Sequence, residues 1–405
     1  MVTDLLVTSK TPGRTRATPW LAATALILTA VNLRPAVTSL GPVLEEVRGD
    51  LGMTATVAGL LTSVPAFCFA VVGVTAPRLA RRFGVDAVIL AGVVALTAGL
   101  ALRPLVGGTA EFLILSAVGL GGIALVNVLL PVVVKQYFPD RVGPMTGVYT
   151  TALNVGATAA AAVTVPLASA LGDSWRLGLG TWAVVAATAL APWPILLRRS
   201  RATRPRTVSA PAAPTGPRSM ATSPVAWALA VFFGLQATAA YVIMGWLPQV
   251  FRDAGLSAST AGLLFAVTSL LGVPLSYVLG ALAGRLRSQS LLAAGLAAFG
   301  IAGYLGLLIA PAGAPWLWAI LLGVSNCSFP LALAMIGLRG HNAATVGRLS
   351  AFAQSTGYLL SIPGPVIVGA LYQHTGTWHG PLVFLTVLMA VQCAAGVAAG
   401  RNRPL

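Results

Sequence analysis

The stretch Asn32-Leu33-Arg34-Pro35 lies inside an apolar run, Trp20 to Leu44, that is long enough to cross a bilayer. At about 1.5 Å per residue, Arg34 falls roughly 21 Å along a helix that must cross about 30 Å of hydrocarbon. An arginine at helix centre costs about 2.5 to 3.5 kcal/mol, so such residues usually face a cavity and mark an ion or substrate path. Pro35 removes a helix hydrogen bond at the same depth, which also requires cover by protein or a water-filled cavity. Arg34 is therefore the first candidate binding residue, and the alternative is a structural arginine bonded to neighbouring carbonyls.

The composition indicates a protein with many membrane spans. Of its 405 residues, 57% are apolar and 8% are charged, and the mean hydropathy is +0.87, which excludes a soluble protein of this size. The net charge is +16, but the basic residues lie between apolar runs instead of on one face, so no nucleic-acid partner is expected. The three cysteines lie inside apolar runs. They support neither a disulfide framework nor a metal cluster, and no cofactor is expected.

Apolar runs of about 20 residues between turn and charge signals predict twelve spans. Their approximate bounds are 20–44, 54–77, 86–104, 110–134, 143–171, 176–197, 224–250, 258–283, 288–310, 315–337, 344–371 and 378–400. Of the 25 Lys and Arg residues, 20 fall in loops on the side of the termini, four on the other side, and Arg34 between, so both termini are expected in the cytoplasm, with the chain in the cell (inner) membrane. The predicted parts are a tail (1–19), a six-helix bundle (20–197), a flexible linker rich in Arg, Pro, Ala and Ser (198–223), a second six-helix bundle (224–400) and a tail (401–405).

The two halves repeat each other, which is typical of a duplicated transporter fold. Residues 51–61 return as 254–264, a shift of 203. Span 4 contains Asn127-Val-Leu-Leu-Pro131 and span 10 contains Asn326-Cys-Ser-Phe-Pro330, so both carry the pattern N-x-x-x-P. A lone membrane asparagine is usually an interhelical hydrogen-bonding group worth about 1 kcal/mol. The same helix break in equivalent spans of both halves instead predicts a binding site near the midplane.

Larger polar groups occur inside spans 1, 4, 5, 7, 10 and 11, and these spans are predicted to line a central path, with the others packed outside. All nine Asp and Glu residues fall in loops or at span ends, so Arg34 has no obvious acidic partner. An unpaired buried cation among amides and phenols predicts a receptor for a small anion or a strongly dipolar solute. The candidate substrate-binding residues are Arg34, Asn32, Asn127, Asn154, Gln236, Tyr241, Asn326, Gln354 and Tyr358.

With these motifs the chain resembles the major facilitator superfamily, and within it the cyanate permease and 2-nitroimidazole transporter family. The resemblance is carried by residues 32–36, 58–65 and 127–131, by Gly234-Leu235-Gln236 with Trp246-Leu247-Pro248, and by Gly357-Tyr358 through Gly364-Pro365 to Gly376-Thr377-Trp378. It implies an all-α membrane fold of twelve transmembrane helices in two pseudo-symmetric six-helix bundles that rock around a central site. It also implies gating roles for Arg82, Trp246 and Arg285. The loop after span 2, residues 73–84, departs from the superfamily pattern because it contains no aspartate.

These observations favour a secondary transporter of a small anionic or polar solute, and cyanate-like anions fit the resemblance. The alternative is export of nitroimidazole-like or other drug-like compounds, because a nitro group is also a dipolar acceptor for Arg34. A membrane enzyme is not expected, since no nucleophile with a base and no metal cluster lies at membrane depth. No phosphate-binding loop for ATP occurs in the sequence. The expected partners are therefore the lipid bilayer and a small-molecule substrate, with the chain acting as a monomer.

Overall fold

A computed structural model describes residues 17–203, 220–339 and 343–401 of the chain. The fold is all-α, with twelve membrane spans in two pseudo-symmetric six-helix bundles. All but one of the predicted spans coincide with the 11 helical stretches that are long and apolar enough to cross a membrane. The remaining span, predicted at 344–371, consists of two shorter helices, the first of which carries Arg348 and Gln354 and is therefore more polar.

The first half has two interrupted spans, the first and the sixth. Span 1 consists of α1 (Ala17–Asn32), α2 (Pro35–Thr38), a 3-10 turn (Gly41–Val43) and α3 (Leu44–Asp50). Spans 2 to 5 are α4 (Ala55–Phe83), α5 (Val85–Leu102), α6 (Thr109–Tyr137) and α7 (Val142–Ala170), and span 6 consists of α8 (Trp175–Thr188) and α9 (Pro192–Thr203). The predicted linker 198–223 thus begins as helix, and its residues 204–219 lie outside the described residues.

The second half has three interrupted spans. Span 7 is α10 (Pro224–Asp253), span 8 consists of α11 (Ala258–Leu270) and α12 (Gly272–Arg285), and span 9 is α13 (Ser290–Ile309). Span 10 consists of α14 (Pro315–Asn326) and α15 (Ser328–Arg339), span 11 of α16 (Ala343–Ser361) and α17 (Pro363–Thr375), and span 12 is α18 (His379–Gly400).

Span 1 is interrupted between α1 and α2, at Arg34, as the adjacent Pro35 predicts. Proline has no backbone N–H and cannot continue the hydrogen-bond ladder. The carbonyl of Arg34 accepts hydrogen bonds from the backbone N–H and the hydroxyl of Thr38, at 3.0 and 3.1 Å. The carbonyl of Ala36 accepts one from Arg103 Nη1 at 3.0 Å. These backbone groups are therefore bonded within the protein, as their depth in a membrane requires.

The two N-x-x-x-P segments have different conformations. In span 10 the helix stops at Asn326 and restarts at Ser328. In span 4, α6 continues through Asn127 and Pro131. The prediction of a break in both halves is therefore wrong for span 4. Membrane helices tolerate a proline where protein or a water-filled cavity covers the freed carbonyl, and Asn127, whose carbonyl Pro131 leaves free, lines a cavity between the halves.

Polar bonds join the two halves at the far side, the membrane side away from the described chain ends. Arg252 on α10 reaches α3 in the other half, where its Nη2 lies 2.8 Å from Glu46 Oε1 and 3.0 Å from Glu45 Oε2. The hydroxyl of Thr56 on α4 donates to Gln373 Oε1 on α17 at 2.7 Å. The ion pairs are partly exposed, so we expect them to contribute little stability individually and to fix mainly the relative position of the halves.

Small residues let the two halves touch beneath these bonds. A side chain at Gly59 on α4 would collide with the backbone of Pro365 on α17, and one at Gly369 on α17 would collide with the backbone of Ala55. Such contacts need residues without a side chain because dispersion and hydrogen bonding, and not the hydrophobic effect, hold helices together in lipid.

The two halves separate toward the chain-end side, the membrane side where Trp20 and Gly400 lie. Gly147 on α7, Gly284 on α12 and Gly347 on α16 have no atom within 4 Å of the position that a Cβ would take. Direct hydrogen bonds and ion pairs between the halves, made by Thr56, Ser63 and Arg252, lie in the far-side portion of the spans. The space between the halves therefore opens toward the chain-end side.

The close packing of α5 on α6 in the first half can be tested by substitution of glycines. A Cβ at Gly122 would collide with the carbonyl oxygen of Gly92, whereas Gly180 on α8 has open space around it. Because overpacking a tight contact costs about 1–3 kcal/mol, we expect Gly122→Val to lower the melting temperature in detergent and Gly180→Val to leave it nearly unchanged. Thermal unfolding of the two purified variants measures this. Equal melting temperatures would show that α5 and α6 are not in backbone contact.

Candidate substrate cavity

A cavity of about 140 Å³, counted as the space open to the centre of a water molecule, lies between the two halves. Residues from spans 1, 2, 4, 5, 7, 8, 10 and 11 line it. The prediction that spans 2 and 8 pack outside is therefore wrong. Span 2 contributes Pro65 and Phe69, and span 8 contributes Thr268, Ser269 and Ser276. A count of large polar groups misses these spans because apolar rings and small hydroxyls can also face a cavity.

Arg34 lines the cavity at the interruption of span 1. Its side chain is half-buried. Among the described residues, no hydrogen bond or ion pair engages its guanidinium group, which agrees with the absence of carboxylates from the middle of the spans. The phenols of Tyr241 and Tyr358 on the opposite half line the same cavity. The guanidinium therefore presents a positive charge and free N–H donors to the cavity, and the alternative of an arginine held by nearby carbonyls is not what the structure shows.

Four side-chain amides surround the same space. They belong to Asn127, Asn154, Gln236 and Asn326, which come from spans 4, 5, 7 and 10. Asn154 Nδ2 donates to the carbonyl of Thr150 at 3.1 Å, which turns its oxygen away from its own helix. The oxygen of Gln236 is buried without a hydrogen-bond partner among the described residues. An amide supplies both donors and acceptors, so this set can bind a polar solute in more than one orientation.

Aromatic rings form another part of the wall. Phe69 and Tyr358, from opposite halves, are stacked with ring centroids 5.1 Å apart and planes at 17°. The ring of Phe233 contacts the ring of Tyr358 edge-on, with centroids 5.0 Å apart. Phe329 lines the cavity as well. Such offset and edge-on arrangements are the favoured ones for aromatic pairs, and they leave flat apolar faces beside the polar groups.

Two predicted binding residues lie outside the cavity. Asn32 is buried at the end of α1, and its Nδ2 donates to the carbonyl of Leu28 at 2.8 Å. Gln354 lies one helical turn before Tyr358, and its Nε2 donates to the hydroxyl of Ser350 at 2.6 Å. Helical spacing correctly relates Gln354 to Tyr358, but it cannot show that only the second reaches the cavity. The other seven predicted residues all line it.

The three predicted gating residues occupy different places. Trp246 is fully buried on the far side, where it meets the ring of Trp378 at 5.7 Å and lies under the guanidinium of Arg48 at 5.8 Å. Since Arg48 belongs to the first half, this contact crosses between the halves. Arg82 and Arg285 are exposed at the chain-end side, at the ends of α4 and α12.

The cavity combines one positive charge with uncharged polar groups. Its described walls contain one cation, amides, hydroxyls and phenols, with no carboxylate. Among the described residues no group of three His, Cys, Asp or Glu side chains could hold a metal ion. Sequence reasoning missed Arg103, which is one of the four basic residues counted on the side away from the termini and is in fact almost completely buried. Its place at the end of an apolar run gives no sign of this.

Known proteins provide close matches over nearly the whole chain. The family model described as Major Facilitator Superfamily matches residues 22–365. The chain is 36% identical over 386 residues to the uncharacterized transporter YycB of Bacillus subtilis, covering 95% of this chain and 94% of that protein. It is 33% identical over 387 residues to the 2-nitroimidazole transporter of Escherichia coli, covering 94% and 95%. It is 28% identical over 354 residues to the cyanate transport protein CynX of Escherichia coli, covering 87% and 90%.

A solved structure supports the architecture. The bacterial homologue of the human lysosomal transporter Spinster, in an inward-facing and unoccupied conformation, superposes with a TM-score of 0.75 at 16% identity, covering 96% of this chain and 98% of that one. At such identity the likeness concerns the fold alone. The extent of the family match and the relatives above 30% identity show what kind of protein this is: a multi-pass membrane transporter, and not an enzyme, that belongs to the Major Facilitator Superfamily.

Proposed function

We propose that the protein is a secondary transporter of a small anionic or polar solute of the cyanate type. The observation that carries the proposal is the guanidinium of Arg34, which faces the cavity without a bonded partner among the described residues. A charge at this depth is costly unless something compensates it. An anionic substrate supplies the missing charge, and a planar guanidinium can bind it through two N–H groups at once. The similarity to CynX, a cyanate transport protein, supports this substrate class.

Transport proceeds in this proposal by alternating access. The structure has the halves in contact on the far side and apart on the chain-end side. If the excess of basic residues marks the cytoplasmic face, this conformation faces the cytoplasm of the cell. The substrate then binds between Arg34 and the amides of the opposite half, and rocking of the halves breaks the Arg252 ion pairs and opens the far side. The chain works as a monomer on ion and solute gradients without ATP.

Energy coupling follows from the same absence of acidic groups. Inward movement of one negative charge against an inside-negative potential is opposed by about 2.3 kcal/mol per 100 mV. An uncoupled anion carrier therefore favours export. The described cavity walls contain no carboxylate or histidine to carry a proton. Uptake requires the substrate to enter as its neutral acid, or another anion to leave in exchange.

A second candidate is export of nitroimidazole-like compounds. The observation that favours it is the stacked pair of Phe69 and Tyr358, which gives the cavity a flat apolar wall opposite polar groups. A nitro group is dipolar and can accept hydrogen bonds from Arg34, while a ring lies against the aromatic wall. The 33% identity to a 2-nitroimidazole transporter supports this alternative.

Substitution of Arg34 tests the anion-receptor role that the leading proposal requires. Removing one partner of a buried charge pair costs about 2–5 kcal/mol, so Arg34→Ala should weaken cyanate binding by about 30-fold or more. Arg34→Lys should retain less affinity than the native protein, because lysine keeps the charge but loses the planar fork. Calorimetry on purified protein measures both, with Lys135→Ala, an exposed cation at the end of α6, as the control. Native affinity in Arg34→Ala would refute the anion-receptor role.

Counterflow in proteoliposomes distinguishes the two substrates. Vesicles loaded with unlabelled cyanate or 2-nitroimidazole are diluted into the labelled form of either compound. We expect internal cyanate to accelerate uptake of labelled cyanate, because exchange of a bound solute does not require net charge movement. If uptake of labelled 2-nitroimidazole is accelerated by internal 2-nitroimidazole and no exchange of cyanate is seen, the second candidate is supported. The absence of exchange with both compounds, for protein that is folded and correctly inserted, would contradict both.

A further inference from the structure

A second, smaller cavity lies directly beyond the wall of the central one. Its volume is about 20 Å³, again counted as space open to the centre of a water molecule. Four residues separate and line both cavities: Val37, Pro65, Leu120 and Tyr241. Gly41 and Gly245, which lie in the far-side contact between the halves, also line it. The small cavity is therefore located between the central cavity and the closed far side.

Arg103 is the charged group in this cavity. Its side chain is 2% exposed. Nη1 donates to the carbonyl of Ala36 at 3.0 Å, but Nε and Nη2 are buried and have no hydrogen-bond partner among the described residues. The ring of Phe112 lies 5.8 Å from the guanidinium carbon. The hydroxyl of Ser116, in the same cavity, is also buried without a partner among the described residues.

This combination of charge and unused donors favours an anion over a water molecule. A water molecule could accept hydrogen bonds from both Nε and Nη2, but it would leave the guanidinium charge uncompensated in a region of low dielectric constant. No described carboxylate forms an ion pair with Arg103. The volume exceeds the roughly 10–15 Å³ that a single water molecule needs, yet it cannot hold a solute of several heavy atoms.

We propose that Arg103 and Ser116 form a second binding site, for one monovalent anion of halide size. The anion accepts hydrogen bonds from Nε and Nη2 of Arg103 and from the hydroxyl of Ser116. The site is distinct from the one at Arg34 and does not depend on which substrate the central cavity binds. It neutralises the positive charge of Arg103 beside the pathway on its far side.

Both halves contribute to this site. Ser116 and Arg103 belong to the first half, whereas Tyr241 and Gly245 on α10 belong to the second. Gly245 packs against Thr62 of α4, and any side chain there would collide with it. When the far side opens, Tyr241 and Gly245 move away and the cavity loses part of its wall. The anion therefore stabilises the conformation that is closed on the far side.

Bromide provides the test. The melting temperature of the purified full chain is measured in sodium bromide and in sodium gluconate at equal ionic strength, since gluconate is too large for the cavity. We expect a saturable rise of about 2 to 4 °C in bromide, because a ligand that binds only the folded state stabilises it. A bromide effect equal to that of gluconate would overturn the proposal.

Variants assign the effect to the cavity. Arg103→Gln should abolish the bromide effect, and so should Ser116→Val, which removes the hydroxyl and fills the space. Arg34→Ala and the control variant Thr97→Val on α5 should keep the bromide effect. If Arg103→Gln fails to fold, Ser116→Val decides, and full bromide dependence in that variant would contradict the assignment. Loss of the effect in Arg34→Ala alone would place the anion in the central cavity instead. Because cyanate binding is measured separately, failure of this site and failure of the proposed function are distinguishable.

Discussion

The cost of holding an arginine charge inside a membrane is the constraint on which the rest of this structure depends. A guanidinium group at that depth requires water, a counter-charge or protein donors and acceptors around it. Here the neighbouring Pro35 also interrupts the helix, so backbone carbonyls need partners as well. The protein meets both requirements with the cavity at Arg34 and with Arg103, which bonds the carbonyl of Ala36. The two arginines are thus linked through one short segment of span 1.

Closure of the far side rests on a different set of forces. Backbone contacts at Gly59 and Gly369 bring α4 and α17 together, and the ion pairs of Arg252 lie at the rim. In lipid the apolar surfaces of helices gain little from meeting each other, so small residues and polar bonds determine where the halves adhere. The contact also buries apolar side chains of both halves in one cluster, among them Leu61, Met244 and Trp246. Opening of the far side therefore uncovers part of this cluster, which favours the closed state.

Much of the architecture could be predicted from the sequence, because spans are long apolar runs and a charge inside one stands out. The break at Arg34 and seven of the nine binding candidates at the cavity follow from that logic. The positions of Asn32 and Gln354 outside the cavity could not be predicted in this way, since the direction of a side chain within a lining helix depends on packing. Whether a helix continues through a proline, as α6 does at Pro131, depends on what surrounds the freed carbonyl in the folded protein. Arg103 was missed because a basic residue at the end of an apolar run normally lies in a loop.

The unequal distribution of helix breaks has a mechanical consequence. Around the cavity, spans 4 and 5 of the first half are continuous helices, whereas spans 8, 10 and 11 of the second half are each divided near the middle. Positions where a helix is interrupted can absorb backbone rotation, and continuous helices resist it. Around the cavity the first half has one interrupted span, span 1, and the second half has three. In the second half, residues 271 and 362 keep helical backbone angles, whereas residue 327 does not, so residue 327 in span 10 is the position best able to act as a hinge.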